Sequence, residues 1–240
     1  MKCPYEPNIF CPYRRITEHR FRYDGPLPLS VNTKEIRLSN NKIDEYLRIP
    51  VYTGKISPEI IENINNNFYN DIMEFKTEIE KSAEDNWSKM KSEGKAPIPF
   101  QVSNIYNTTY NNNGILSTTL LYQELINGIN NFIKTSYNYD LSTGKSLSLK
   151  DLFLNNVNYK EVLDSIIRNQ LAINPQDYFP NSLKNFKGIS MDQPFYLDDG
   201  NLVVFFGFNE IAPISSNIPT IKIPLSEIKG YLKPKYCFNC

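Results

Sequence analysis

The chain has 240 residues, 40% of them hydrophobic, which is enough for one large domain or two small ones that bury a core without staples. Lys and Arg number 26 and Asp and Glu also 26, so no basic excess exists to neutralise a phosphate backbone, which argues against nucleic acid as a partner. No apolar run reaches the roughly 18 residues of a membrane helix, and Met1–Glu6 has no signal-peptide core, so the expectation is a protein without membrane anchor or leader.

The first 24 residues read as an extended arm. Cys3-Pro4-Tyr5 recurs as Cys11-Pro12-Tyr13, and each proline pushes the cysteine before it toward extended backbone. Arg14 to Tyr23 is basic and reads as a solvated strand or linker, broken by Gly25-Pro26 and Pro28. Glu35 to Tyr52 contains two extended stretches around Asn40-Asn41. A long helix follows. Ser57 suits its N-cap, Pro58 the first helical position and Glu59 the first-turn dipole. Ile60, Ile64, Phe68, Ile72, Phe75, Ile79, Ala83, Trp87 and Met90 then trace one face, and Gly94 with Pro97 ends the run.

Strands are predicted at Phe100–Tyr110 and Leu116–Tyr122, joined by the Asn113-Gly114 turn, and again over Phe132–Leu141. Asn107-Thr108-Thr109 matches a glycosylation acceptor but reads as strand polarity. Tyr159 to Leu171 is an amphipathic helix, and Pro175 to Phe186 holds a short one. Phe195–Leu197 and Leu202–Phe208 form a hairpin about Asp198-Asp199-Gly200-Asn201. Ile221–Pro224 is a last strand, and Leu225–Leu232 supplies a closing helical turn or two. Helices and strands come in runs, so the expected class is α+β: a mostly antiparallel sheet packed by one long and one or two shorter helices, with extended cysteine-bearing termini.

The 30 asparagines read as the compositional bias of an AT-rich bacterial genome. The single histidine, His19, leaves little scope for imidazole chemistry. Asp198, Asp199 and Glu210 read as turn and strand-edge carboxylates rather than an acid–base pair. No phosphate loop, H-E-x-x-H or G-x-S-x-G pattern occurs. The expectation is a non-enzymatic protein with no catalytic, cofactor or metal residues. The four cysteines, Cys3, Cys11, Cys237 and Cys240, lie only at the chain ends. They allow three readings: incidental thiols, a zinc site through the Cys237–Cys240 pair, or covalent tethering within or between chains.

Two segments resemble a known family. Tyr139 to Phe153, with Thr143-Gly144-Lys145 and Leu149-Lys150-Asp151-Leu152-Phe153, looks like its strand, turn and "L-x-D-L-F" signature. Phe195 to Ile223, with Asn209-Glu210-Ile211-Ala212-Pro213, looks like its closing hairpin and "E-I-A-P…I-P" segment. The family is the RsiV-like extracytoplasmic domain, found in anti-sigma factors and as an accessory module of peptidoglycan deacetylases. Arg48-Ile49-Pro50 through the Asn63 helix resembles the accessory half that precedes it. Leu125–Asn131 stands where members carry a glycine-rich stretch, and Asn209 where they carry a tyrosine. The resemblance implies a binding rather than catalytic scaffold, with lysozyme or cell-wall glycan as ligand.

The expected organisation is an arm over 1–24, an accessory half over 25–135, an RsiV-like half over 136–232 that forms one globule with it, and a cysteine tail over 233–240. The leading functional expectation is a self-assembling structural subunit of a bacterial spore envelope or appendage. It would be made in the mother-cell cytoplasm and polymerise through disulfides at Cys3, Cys11, Cys237 and Cys240. The alternative is an RsiV-like sensor or binding domain at the extracytoplasmic cell surface.

Overall fold

The computed structural model describes residues 25–213 and 218–238, so the 1–24 arm with Cys3 and Cys11, and also Cys240, lies outside the described residues. Strand β1 (Ser30–Ser39) turns back into β2 (Ile43–Thr53), where the Asn40 side chain accepts the Lys42 and Ile43 amides. Helix α1 (Pro58–Ser92) follows, about 50 Å long, with Ser57 at the N-cap and Pro58 in the first turn as expected. The Ser57 hydroxyl makes no capping bond.

β3 (Phe100–Asn112), β4 (Ile115–Ile126), β5 (Ile129–Asp140) and the short β6 (Lys145–Ser146) complete a sheet of order β1-β2-β3-β4-β5-β6. Its pairs are antiparallel except β2–β3, which runs parallel from Ile43↔Phe100 to Tyr46↔Ser103. A parallel pair needs a crossover, and α1 is that crossover. Asn113 and Gly114, with φ of 50° and 70°, make the expected hairpin turn. Asn127 and Gly128, with φ of 51° and 83°, make a second one in the place of the family's glycine-rich stretch. That turn lets β4 and β5 run longer than the sequence patterning indicates, and β5 passes through the 135/136 boundary.

α1 lays Ile64, Phe68, Ile72, Ile79 and Ala83 on one face of this sheet, against Leu47, Ile49, Leu116 and Leu120. Each such aliphatic side chain contributes about 1.5–3 kcal/mol by leaving water. Among the described residues the opposite face is covered at one end only. There a three-stranded antiparallel sheet of β7 (Phe195–Asp198), β8 (Asn201–Phe205) and β9 (Thr220–Pro224) packs with α2 (Leu149–Leu152), α3 (Tyr159–Ile173), α4 (Ser182–Asn185) and α5 (Leu225–Ile228) around a second core.

A bulge between Thr108 and Tyr110 makes this arrangement possible. Up to Thr108 the even residues of β3 face α1, and the Thr108 hydroxyl meets the Tyr52 hydroxyl at 2.7 Å. The extra residue turns Tyr110 onto the other face, where its ring stacks on Phe238 at 4.5 Å. A buried polar link joins the two sheets. The Ser117 hydroxyl donates to Asn138, Asn138 donates to the Phe195 carbonyl at 2.8 Å, and the Leu197 amide donates to Ser117 at 2.9 Å.

The C-terminal tail is not extended. Pro234–Tyr236 form a 3-10 turn, Tyr236 and Phe238 are buried in the second core, and Lys235 pairs with Asp140. The apolar content of this short segment draws it onto the globule.

Candidate ligand-binding face of the large sheet

Cross-strand register places the side chains of the uncovered face in lateral rows. One row is Asp44, Gln101, Leu125 and Asn130; the next is Tyr46, Ser103, Gln123 and Phe132. Then come Ile105, Leu121 and Lys134, followed by Asn107, Thr119 and Ser136. Alternation along each strand sends these residues to one side and the α1-facing residues to the other.

Two recesses lie on this face. The first, about 380 Å³, is polar and lined by Asp44, Tyr46, Gln101, Ser103, Gln123 and Asn130. The second, about 460 Å³, is walled by Ile105, Leu121, Phe132, Phe208 and Ile218, with Asn107, Thr119 and Lys134 among its polar groups. Ile105 is 53% exposed. Phe208, beyond β8, lies 5.3 Å from the Phe132 ring and closes the end of the groove.

The cations on the face sit over rings, Arg37 at the outer edge lying 4.1 Å from the Tyr46 ring. The Arg48 guanidinium lies 4.5 Å from the Tyr46 ring. The Lys134 ammonium lies 4.6 Å from the ring centre of Tyr196 and 4.9 Å from that of Phe205. Among the described residues Lys134 donates no hydrogen bond and has no carboxylate within ion-pair distance, and burial pushes its pKa down. At the outer edge, Glu35 accepts from Tyr46 and pairs with Arg37 at 3.1 Å; the Tyr46 and Arg37 bonds hold its carboxyl below the usual range.

The residues singled out from the sequence lie elsewhere. Cys237 is half-buried after the 3-10 turn and is disulfide-bonded. Asp198 pairs with Lys222 at 2.9 Å and accepts from Asn201, while Glu210 accepts the Gly207 amide at 2.7 Å. Those carboxylates hold turns. The open face was not among the residues singled out. Its trace in the sequence is that Ile105 and Leu121 alternate with residues that also pack, giving apolar residues on both sides of the strands.

Residues 36–128 match the family model described as "Deacetylase PdaC", and residues 150–226 match the one described as "Protein of unknown function (DUF3298)". The two matches together fit an RsiV-like domain family. A solved structure described as a member of the DUF3298 family from Bacteroides fragilis aligns with a TM-score of 0.71 at 16% identity, covering 88% of this chain and 96% of that one. A DUF3298 family protein from Pseudomonas aeruginosa aligns with a TM-score of 0.62 at 18% identity, covering 89% and 98%. At these identities the likeness is one of fold. No curated protein matches the chain. The groove spans both modules: β2 to β4 belong to the PdaC-type half, β5 lies between the two matches, and Phe208 and Ile218 come from the DUF3298 half.

Proposed function

We propose that this RsiV-like chain is a non-catalytic, extracytoplasmic binding module that holds a cell-wall glycan on the open face of its large sheet. The observation that carries this reading is the continuity of the two recesses. Amide and hydroxyl side chains of Gln101, Ser103, Gln123 and Asn130 run directly into the Phe132–Phe208 pair. Side-chain amides both donate and accept, as vicinal sugar hydroxyls do, and an aromatic ring suits the C–H face of a pyranose. The matches to a deacetylase-associated half and to DUF3298 accord with an accessory, extracytoplasmic role.

The test is cosedimentation with insoluble peptidoglycan and calorimetry with N-acetylglucosamine oligomers. Phe132→Ala and Gln123→Ala should each weaken binding about tenfold, the loss expected of a central contact. Capture of lysozyme instead, unaffected by either substitution, would overturn the assignment.

The spore-subunit reading rests chiefly on cysteine placement, and three of the four cysteines lie outside the described residues. Under that reading oxidised protein runs on a non-reducing gel as ladders that collapse with reductant.

A further inference from the structure

We propose that the glycan held on this face carries an anionic substituent, a carboxylate or a phosphate, and that Lys134 receives it. The inference rests on the glycan reading and adds the chemistry of one subsite. Lys134 stands on β5 in the middle of the apolar recess, beside Leu121 in the cross-strand register. Its ammonium is held on one side by the rings of Tyr196 and Phe205.

A half-buried cation ordinarily finds a carboxylate or a carbonyl, since its desolvation is otherwise uncompensated. Among the described residues Lys134 has neither, so its N–H donors remain for a ligand. Arg48, on the same face, likewise lies over a ring and is paired with no carboxylate among those residues, whereas Arg37 at the outer edge is paired with Glu35. The acids on that side are Asp44, in the polar recess two rows from Lys134, and Glu35, engaged with Arg37 and Tyr46 at the outer edge. The charge of the apolar recess is therefore positive and unneutralised. An ammonium against an anion at such a site forms a charge-assisted hydrogen bond.

The experiment compares three tetrasaccharides by calorimetry: an N-acetylglucosamine tetramer, a counterpart containing muramic acid, and a counterpart bearing a phosphate. Wild-type protein should bind at least one anionic sugar tenfold or more tightly than the neutral one, with the advantage shrinking as salt rises. Lys134→Met should erase that advantage, so that anionic and neutral sugars bind the variant alike, and Lys134→Arg should retain it. Lys134→Gln serves in place of the Met variant should the latter not fold. The carboxylate and phosphate arms identify which anion is preferred. Equal affinity for all three sugars, or an advantage that survives in Lys134→Met, overturns the anion assignment and leaves the glycan reading standing. Failure of all three sugars to bind overturns both.

Discussion

Both carboxylate oxygens of Glu45 are buried between β2 and α1 with no hydrogen-bond donor among the described residues. Lys76 stands 3.8 Å away but pairs more closely with Glu80, at 2.6 Å. Desolvation raises the Glu45 pKa, and the nearby lysine only partly offsets it. A carboxyl whose folded pKa is raised weakens the fold above that pKa, and the penalty vanishes below its unfolded value of about 4.3. Glu45→Met should therefore stabilise the protein by about 1–3 kcal/mol at pH 7. The gap between variant and wild type should close as pH falls toward 4, read from urea midpoints across that range.

Two glycines of the family-like motifs separate conformational cost from crowding. Gly144 has φ +73°, and an added Cβ would meet the Ile60 Cγ1 at 3.2 Å. Gly200 has φ +79° with nothing among the described residues within 4 Å. Gly200→Ala should cost about 1 kcal/mol through backbone strain alone. Gly144→Ala should cost more, about 2–3 kcal/mol, because the α1 side chain must also shift. Thermal unfolding of the pair checks the order.

At the scale of elements, asparagine does structural work that composition conceals. The Asn104 side chain accepts the Arg48 amide at 2.6 Å and donates to the Arg48 carbonyl at 3.0 Å, continuing the β2–β3 ladder where the strands part. Asn65 does the same for Tyr52 from α1, and Asn111 for Leu29. Each amide replaces a missing peptide partner with the same donor and acceptor. Asn104→Ala should cost about 2–3 kcal/mol by leaving an amide and a carbonyl unpaired in a part-buried site. Asn104→Asp should not rescue it, because an ionised carboxylate cannot donate to the Arg48 carbonyl. Denaturant unfolding of both variants tests this. A compositional bias explains why asparagine is abundant; it does not locate the three that bridge backbone, since their partners lie 13 to 82 residues away in sequence.

At the scale of the whole molecule, the C-terminal segment and the Ser117–Asn138 link tie the small sheet to the large one. Phe238→Ala should cost about 3 kcal/mol, the usual penalty for emptying a buried aromatic site. Burial pushes the Asp140 carboxyl up, but hydrogen bonds from Lys235 and Ser142 outweigh it and hold the pKa below the ordinary value. A carboxyl depressed in the fold contributes stability above its unfolded pKa, and that contribution is lost as pH falls through the folded one. Lys235→Met should thus cost up to about 1 kcal/mol at pH 7, the lysine being partly exposed. The cost should fade as pH falls below the unfolded value of about 3.9 and on through the lower folded one. Stability curves at pH 7 and pH 3 check it.

The sequence by itself determined the elements whose signals are local. The four-and-three spacing of α1, the Asn113-Gly114 turn, the hairpin about Gly200 and the Tyr159 helix each follow from side-chain period or turn chemistry within a few residues. Tertiary structure decided which face of the large sheet stays open. Ile105 and Leu121 are as apolar as core residues, and strand period alone cannot say whether a second layer covers them. The small sheet reaches the end of the face marked by Tyr110 and Ser117 and stops there, because the single extra residue near Thr109 turns Tyr110 toward it. A one-residue change of register exchanges the two faces of a strand, and only long-range pairing reveals where it occurs.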